Sequence, residues 1–391
     1  MIKIGTLKPT YGLWDIADVK DVIKNESCTF CGACIAFCDK ALIKDETVLI
    51  TEKCGYPNCL KCLSTFCPRT RLPLYDIELK IFGRTRKDPY LGNYIMGFSA
   101  RSKDHKVLEV CQDGGVVTTL LEFALNNGII DGAVVARRED APPWKPQPFV
   151  ARTYDELLEA AGSKYTNSPN LLGLTEAITK YNLKKIAFVG LPCQIQSLRK
   201  IQISQQQEVS IRRLKLLIGL FCTETFSYTE LIEEILKKRC NLRPERIEKF
   251  DIKKNKFLIQ IENQEEPVAI RLKEMKQYAH HGCHYCLDFS SELADISVGS
   301  VGSPLGWSTV LTRTKIGDQI YRALEKSGDI DSKPFELEAG SREIVKATEK
   351  KQRENLQRIM DKVKKSSKFQ FVYSTQPKRN LRISKSWYLD E

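Results

Sequence analysis

The chain has 391 residues, of which 42% are hydrophobic, and this is ordinary for a soluble globular protein of two or three domains. Its formal net charge of +12 favours acidic partners, although a solvated basic surface would give the same balance. No segment reaches the roughly 18 consecutive apolar residues of a membrane helix, and the N-terminus lacks the apolar region of a signal peptide. We therefore expect a cytoplasmic protein without direct membrane insertion, which leaves docking at the periphery of a membrane complex open.

Cysteine is the most informative residue type in this sequence. The chain contains 14 cysteines, and in a reducing compartment clustered cysteines indicate metal or redox centres more than disulfides. The first run is Cys28-x2-Cys31-x2-Cys34-x3-Cys38. This is the spacing of the bacterial ferredoxin run that binds a [4Fe–4S] cluster.

A second run follows a short hairpin that we predict over residues 41–51. In two-cluster ferredoxins the fourth cysteine of each run binds the other cluster. This pattern assigns Cys28, Cys31, Cys34 and Cys67 to one cluster, and Cys54, Cys59, Cys62 and Cys38 to the second. The second run has wider spacings than usual, and Asp39 stands where proline normally follows the first run. A zinc knuckle is the alternative, although zinc sites rarely use two interleaved runs.

Changes in composition divide the chain into four parts. We predict a small ferredoxin-like domain over residues 1–72, a mixed-charge linker over 73–92, a core over 93–340, and a basic helix and tail over 341–391. The helix from Arg342 to Lys365 is either a docking surface for an acidic partner or an amphipathic helix packed on the domain. The final stretch is either a loose tail or a strand added to a partner, and the sequence does not decide.

In the core, predicted helices alternate with apolar strands, which favours an α/β (α+β) fold with a central mixed sheet flanked by helices. The predicted strands include Ile186–Val189 and Leu216–Phe221, and they lead into Cys193 and Cys222. Ligands of such sheets gather beyond the carboxyl ends of the strands. With the pair Cys283-x2-Cys286 nearby, we expect a third four-thiolate site there.

Loops of small and polar residues accompany this expected site. Gly114-Gly115 at a helix start, GSKYTNSPN at 162–170 and the Gly- and Ser-rich loop Gly299–Ser308 suit contacts to phosphate or ribose, although a helix cap or a surface turn would look similar. WKPQP at 144–148 puts an aromatic ring and a lysine on a stiff loop, because its two prolines exclude a helix. Cys111 and Cys240 remain outside the three groups of four and are interpreted as packed thiols.

From about Tyr94 to Lys365 the chain resembles the beta subunit of coenzyme F420-reducing hydrogenase, a family that also includes the input subunits of F420H2 dehydrogenases. The matching stretches, in the family's order, are QDGGVVT, GIIDGAVVA, WKPQP, GSKYTNSPN, GLPCQIQSLRK, GLFCTETF, CHYCLDF and ADISVGSVGSPLGWSTVLTRT. They span about two thirds of the chain. The two-cluster module is absent from the hydrogenase subunit and looks like the arrangement in the F420H2-oxidising subunits.

The resemblance implies an FAD beside a core [4Fe–4S] cluster whose ligands would be Cys193, Cys222, Cys283 and Cys286, with no side chain as catalytic acid or base. Three loops would hold the flavin through Asp113, Gly114, Gly115, Val116, Thr118, Ser163, Lys164, Tyr165, Thr166, Ser168, Asn170, Gly299, Ser300, Gly302, Ser303, Gly306, Trp307 and Ser308. We assign Lys145 and Lys164 to the anionic tail of F420.

The resulting hypothesis is an F420-dependent oxidoreductase with one FAD and three [4Fe–4S] clusters. Its partners would be coenzyme F420 and an acidic redox protein or other subunits of an electron-transfer complex. The same fold with a two-cluster module also resembles the ferredoxin-dependent 7-hydroxymethyl chlorophyll a reductases, in which a flavin reduces an organic molecule. A third hypothesis is a relay subunit that binds no F420. A nucleic-acid role is excluded from the expected functions, because the sequence has no known motif for it.

Overall fold

The structure is a computed structural model that describes residues 11–14, 19–51, 59–70, 72–86, 88–204, 211–335, 340–365 and 371–374. The helices are α1 (Val19–Lys24), α2 (Ala33–Ala36), α3 (Cys59–Phe66), α4 (Leu74–Phe82), α5 (His105–Val110), α6 (Val116–Asn126), α7 (Tyr154–Glu159), α8 (Leu171–Thr179), α9 (Pro192–Ser204), α10 (Glu230–Arg239, a π-helix), α11 (Leu272–Met275), α12 (Lys315–Ser327) and α13 (Gly340–Lys365). The strands are β1 (Tyr11–Trp14), β2 (Ala41–Lys44), β3 (Thr47–Ile50), β4 (Met96–Ser102), β5 (Gly132–Arg138), β6 (Pro146–Ala151), β7 (Ile186–Gly190), β8 (Leu214–Leu220), β9 (Ile247–Lys253), β10 (Lys256–Ile261), β11 (Val268–Arg271), β12 (Ile296–Gly299), β13 (Ser308–Thr312), β14 (Ile330–Pro334) and β15 (Phe371–Ser374).

An eight-stranded sheet forms the centre of the core, with the strand order β14-β4-β13-β12-β8-β7-β5-β6. Its four middle strands, β12, β8, β7 and β5, are parallel to one another. The outer strands are antiparallel to their neighbours. The prediction of a mixed sheet is therefore confirmed, and the carboxyl ends of the four parallel strands meet at one edge.

Alternating residues of the parallel strands build two hydrophobic cores, one on each face of the sheet, because successive strand side chains point in opposite directions. Val134, Phe188 and Leu217 pack in the core that contains residues of α8 and α9. Ala133 and Ala187 pack in the core that contains residues of α6 and α12. Such strands, buried on both faces, read as continuous apolar runs, which is why the sequence located them.

A second, smaller layer stands beyond the main sheet. Strands β9, β10 and β11 form an antiparallel sheet, and its apolar face packs with α10 around Phe257 and Phe226. The layer supplies one wall of the cavity described below.

The N-terminal module shares a hydrophobic core with the rest of the chain. Cys31, Ala33 and Phe66 pack in the same cluster as residues of α8 and α9. Across this junction, the Thr175 hydroxyl donates to the Ala36 carbonyl at 2.9 Å and the Ser197 hydroxyl donates to the Phe66 carbonyl at 2.7 Å. The module is therefore fixed on one face of the core.

The segment predicted as a linker, residues 73–92, contains helix α4. Pro73 and Gly83 bound this helix, and Leu74 and Ile77 bury its inner face. The stiff loop expected at 144–148 also differs, since Pro146 and Pro148 lie in β6. This strand is at the edge of the sheet, where a missing N–H is tolerated.

Both ends of the chain come together in the described residues. β15, in the stretch predicted as a tail or a strand for a partner, pairs antiparallel with β1 of the same chain. Helix α13 packs on the domain through a buried stripe of six residues: Ile344, Thr348, Lys351, Gln352, Asn355 and Ile359. This agrees with the packed amphipathic alternative. Of the helices that are described, none has both the length and the apolar character to cross a bilayer.

Candidate redox site

The carboxyl-end edge of the sheet carries the predicted core cysteines. Strand β7 ends at Gly190 and α9 begins at Pro192, which places Cys193 in the first turn of that helix. Cys222 follows β8 by two residues, and its backbone N–H donates to the Phe289 carbonyl at 2.8 Å. The remaining pair lies in and after the 3₁₀ turn His281–Tyr285. The structure thus brings together four thiols from three separate parts of the chain.

These four thiols, which we call the core set (Cys193, Cys222, Cys283 and Cys286), are close enough to affect one another electrostatically. Burial raises the pKa of Cys193 and Cys222 well above the usual range and also raises that of Cys283. The charges of Cys31 and Cys286 raise the pKa of Cys193 further. Burial also disfavours the Cys286 thiolate, yet the positive charges of Lys351 and Arg69 hold its pKa below the ordinary value. A buried set of this kind releases its protons when a metal centre takes their place.

Buried polar groups of helix α13 surround the core set, and the sequence did not predict this. The Lys351 ammonium donates to the carbonyl oxygens of Cys222 at 2.7 Å and Asp288 at 2.8 Å. The Asn355 amide donates to the carbonyl oxygens of Cys283 at 2.9 Å and Cys286 at 2.7 Å. Lys351 and Asn355 are four residues apart, so they share a face of the helix. Nothing local in the sequence of this basic helix marks these two residues as buried.

The N-terminal module holds a second group of thiols, which we call the module set (Cys28, Cys31, Cys34 and Cys67). The pKa of Cys28 rises to about 11 and that of Cys31 to about 12, first through burial and also through the charge of Cys67. Burial also raises the pKa of Cys34, and the other three thiolates of the set add to the rise. The four residues that the ferredoxin pattern assigned to one cluster therefore lie together.

The other N-terminal group is only partly within the described residues. Cys38 lies in the turn before β2, whereas Cys54 lies outside the described residues. Cys59 and Cys62 lie in α3, and nothing is described of their side chains. The second N-terminal cluster stays a prediction.

The donor chemistry of both described sets fits a cubane. Within the described part of the chain, no three His, Cys, Asp or Glu side chains converge as ligands of a single metal ion. A cubane holds its four irons at separate corners and so takes four thiolates from a wider arrangement. Buried cations stand beside both sets, since Lys351 contacts the core set and Lys200 contacts the module set through the Cys67 carbonyl at 2.6 Å. Thiolates of a bound cluster would supply the counter-charge that a buried ammonium needs.

A cavity of about 410 Å³ opens beside Cys222. Its wall contains the side chains of Phe221, Phe226 and Phe289 together with hydroxyl and backbone groups of the predicted loops. Volumes of about 300–1,000 Å³, apolar walls and a few polar groups are typical of cofactor sites. The volume and the wall chemistry of the cavity therefore fit a flavin.

Most of the residues predicted to hold the flavin line this cavity. The lining residues are Asp113, Gly115, Val116, Thr118, Ser163, Lys164, Tyr165, Thr166, Ser168, Asn170, Gly299, Ser300 and Ser308. The remaining five, Gly114, Gly302, Ser303, Gly306 and Trp307, are not part of its wall. Whether any of them contacts a flavin remains a prediction.

Packing explains the positions of several residues outside the wall. A Cβ on Gly114 would lie 2.5 Å from the Ala100 carbonyl oxygen, so only glycine lets this turn approach β4. The Ser303 hydroxyl lies 2.6 Å from the hydroxyl oxygens of Ser99 and of Thr309, and the Lys333 ammonium lies over the Trp307 ring. The second half of the Gly299–Ser308 loop thus packs on β4, β13 and β14.

The two lysines assigned to the F420 tail occupy different environments. Lys164 lines the cavity, and its ammonium donates to the carbonyl oxygens of Ala160, Ala161 and Gly162 at the end of α7. Burial, followed by the charge of Arg138, lowers the pKa of Lys164 to about 7, although the carbonyl acceptors favour its charged form. Lys145 is exposed and lies over the Tyr228 ring, 6.0 Å from its centre, outside the cavity wall.

The two leftover cysteines are packed, as predicted. Cys111 is 6% exposed and its thiol donates to the Asp113 carbonyl at 2.9 Å, which places it in the cavity wall as well. Cys240 follows the last turn of α10 and packs against the core of the smaller layer.

Comparison with known families and proteins gives consistent matches to one group. Residues 97–175 match the family described as coenzyme F420 hydrogenase/dehydrogenase, beta subunit N-term, and residues 183–338 match the corresponding C terminus. The chain is 45% identical to the beta subunit of coenzyme F420 hydrogenase from Methanothermobacter thermautotrophicus, over 63% of this chain and 86% of that protein. It is 30% identical to one subunit of the F(420)H(2) dehydrogenase of Methanosarcina mazei, over 89% of this chain and 96% of that protein.

A solved structure matches the fold. A chain of the F420-reducing [NiFe] hydrogenase complex from Methanosarcina barkeri superposes with a TM-score of 0.67 at 38% identity. The match covers 71% of this chain and 96% of that chain. Most of the chain therefore shares its fold with a protein already known in three dimensions.

Proposed function

The chain belongs to the family of coenzyme F420 hydrogenase/dehydrogenase beta subunits, and on that premise we propose that it exchanges hydride between coenzyme F420 and a bound FAD. Electrons then pass one at a time, through [4Fe–4S] clusters, to or from a partner protein. The relatives described above are named for F420-linked hydrogenase and dehydrogenase subunits. These names support an F420-linked oxidoreductase. The proposed FAD and [4Fe–4S] clusters depend instead on the cavity and the cysteine sets.

The observation that carries this proposal is the position of the cavity directly beside the core set, with Cys222 in its wall. A bound flavin exchanges a hydride on one side and single electrons on the other, whereas a cubane takes one electron at a time. The aromatic wall of Phe221, Phe226 and Phe289 would orient an isoalloxazine ring and exclude water from it. The loop residues Ser163, Thr166 and Ser168 offer hydroxyl donors for the phosphates and ribose.

The module set lies next to the core set. Cys193 of the core set and Cys31 of the module set are close enough for their charges to interact. The module set would therefore hold the next cluster after the core set. Cys38, Cys54, Cys59 and Cys62 would hold the third cluster of the chain, as the ferredoxin pattern proposes.

The test is anaerobic mixing of the oxidised full-length protein with reduced F420, in parallel with reduced ferredoxin, while flavin absorbance is followed. We expect reduced F420 to bleach the flavin. Bleaching by reduced ferredoxin alone, followed by reoxidation with an organic acceptor, would favour the chlorophyll-reductase-like alternative. If no free two-electron donor reduces the flavin, the chain is a relay subunit.

Lys145 provides a test of the F420 side of the site. It is exposed and lies beside Tyr228 in the region where β6 approaches the smaller layer. We expect Lys145→Ala to raise the KM for F420 while the flavin content stays that of the unsubstituted protein. An unchanged KM would remove Lys145 from the F420 site. Lys185→Ala is a matched control, because Lys185 is also exposed and its ammonium contacts the Gly128 carbonyl, away from the cavity.

A further inference from the structure

Buried cations lie at the junction between the N-terminal module and the core. Arg69, Lys200 and Lys351 are each at most 5% exposed. Another buried cation, Arg199, has a carboxylate neighbour, since it lies 2.8 Å from Asp295. The three junction cations lie near cysteine thiols or cysteine carbonyls, which makes them candidates for a role in electron transfer.

Arg69 contacts both cysteine sets. It follows Cys67 of the module set by two residues in the chain. Its Nη2 donates to the carbonyl oxygen of Gly282 at 3.1 Å, directly before Cys283 of the core set. Its positive charge also acts on the Cys286 thiol of the core set and on the Cys28 thiol of the module set. One guanidinium therefore faces ligands of both proposed clusters.

The backbone at this junction leaves no room for another side chain. A Cβ on Gly282 would lie 2.0 Å from the Cys28 carbonyl oxygen, and a Cβ on Gly32 would lie 2.6 Å from the Pro169 carbonyl oxygen. The segment that carries Cys283 thus approaches the segment that carries Cys28 at Gly282. Arg69 lies at this contact, since it donates to the Gly282 carbonyl.

The two lysines each serve one set. The Lys200 ammonium donates to the Cys67 carbonyl at 2.6 Å and to the Thr70 hydroxyl at 2.8 Å, and it lies near the module set alone. The Lys351 ammonium donates to the Cys222 carbonyl, and its charge interacts with the core set. Variants of these lysines can therefore be compared with variants of Arg69, which lies near both sets.

We propose that Arg69 is a positioning residue for electron exchange between the core set and the module set, an inference that rests on the proposed function. Reduction adds one negative charge to a cubane, and the net charge and hydrogen bonds around the sulfurs set its reduction potential. In a buried, low-dielectric region a fixed positive charge stabilises the reduced form. Arg69 therefore raises the potentials of both neighbouring clusters together, and the step it serves moves one electron without forming or breaking a bond.

The test is a reductive titration of the anaerobically purified full chain with a chemical reductant, followed by EPR. We expect Arg69→Gln to shift the potentials of two clusters to more negative values. Lys351→Met should shift only the core cluster, and Lys200→Met only the module cluster, so the two lysine variants assign the signals. Arg69→Lys keeps the positive charge, so both potentials should stay close to those of the unsubstituted protein.

An Arg69→Gln variant that moves one potential and leaves the other at the unsubstituted value would overturn the proposal. If that variant does not fold, EPR of the fully reduced unsubstituted protein gives a second test, because neighbouring clusters broaden each other's signals. If Cys222→Ser loses this broadening, the result supports two neighbouring clusters at the junction. If the unsubstituted protein shows no broadening, the proposal is overturned. Failure of reduced F420 to bleach the flavin counts against the proposed function alone, because the titration uses a chemical reductant.

Discussion

At the scale of single residues, one hydrogen bond between Arg69 and Gly282 joins the segments that carry the two cysteine sets. The spacing of neighbouring cysteines was readable from the sequence, whereas a long-range contact of this kind was not. The module set was predicted because three of its cysteines lie within seven residues, from Cys28 to Cys34. Arg69 was not predicted, since its partner Gly282 lies 213 positions away. Lys351 and Asn355 were missed for the same reason. Nothing local in a basic helix shows which of its cations will be buried.

The junction glycine Gly282 gives a prediction at this scale. Because an added Cβ would meet the Cys28 backbone, we expect Gly282→Ala to destabilise the protein by about 1–3 kcal/mol through overpacking and to release iron from the module set. The measurement is iron content together with the thermal unfolding midpoint. Gly83→Ala is the control, because Gly83 has φ +68° but no atom within 4 Å of the added Cβ. It should lower the midpoint and keep all of the iron, and equal iron loss in both variants would contradict the close junction.

Lys164 gives a pH-dependence. With its pKa lowered to about 7 by burial, the side chain is charged below that pH and increasingly neutral above it. A charged ammonium attracts the anionic tail of F420, so the affinity for F420 should fall as pH rises through about 7. The measurement is the dissociation constant of F420 against pH. Lys164→Arg should flatten the profile, because a guanidinium stays charged. A flat profile in the unsubstituted protein would remove Lys164 from the F420 site.

At the scale of elements, hydrophobic pattern located the strands that position the site. Strands β7 and β8 were predicted within two residues of their observed ends because residues 186–190 and 216–220 are apolar throughout. Helix α4 was missed, since the mixed charge of residues 73–92 suggested a linker although Pro73 and Gly83 mark the helix ends. The pairing of β1 with β15 joins residues about 360 positions apart, and no local signal encodes it.

The assignment of Cys222, which follows strand β8, to the core set can be tested by measuring iron content. Cys222 follows β8 and belongs to the core set, whereas Cys240 ends α10 and packs away from it. We expect Cys222→Ser to lower the iron content by about four atoms, the content of one cubane. Cys240→Ser should leave the iron content unchanged. Loss of no iron from the first variant, or equal loss from both, would contradict the assignment of the core set.

Helix α13 has two faces with different roles. Its buried stripe brings Lys351 and Asn355 to the core set. Its exposed face carries Arg342, Lys346 and Lys350. The sequence offered docking and packing as alternatives, and the structure has the packed helix while its basic outer face stays available. Docking of an acidic partner on that face remains a prediction.

At the scale of the whole molecule, the module and the core form one packed unit through shared apolar residues and buried hydrogen bonds. The cavity, the core set and the module set follow one another through this unit. We propose that a module fixed in this way carries electrons between the core set and a partner protein. We therefore expect iron and flavin in a fixed ratio within a single chain.

The most direct measurement is therefore the iron, sulfide and flavin content of the full-length protein purified without oxygen. We expect about 12 iron and about 12 sulfide per chain, as three cubanes require, together with one FAD. A colourless preparation, or zinc in place of iron, would contradict it.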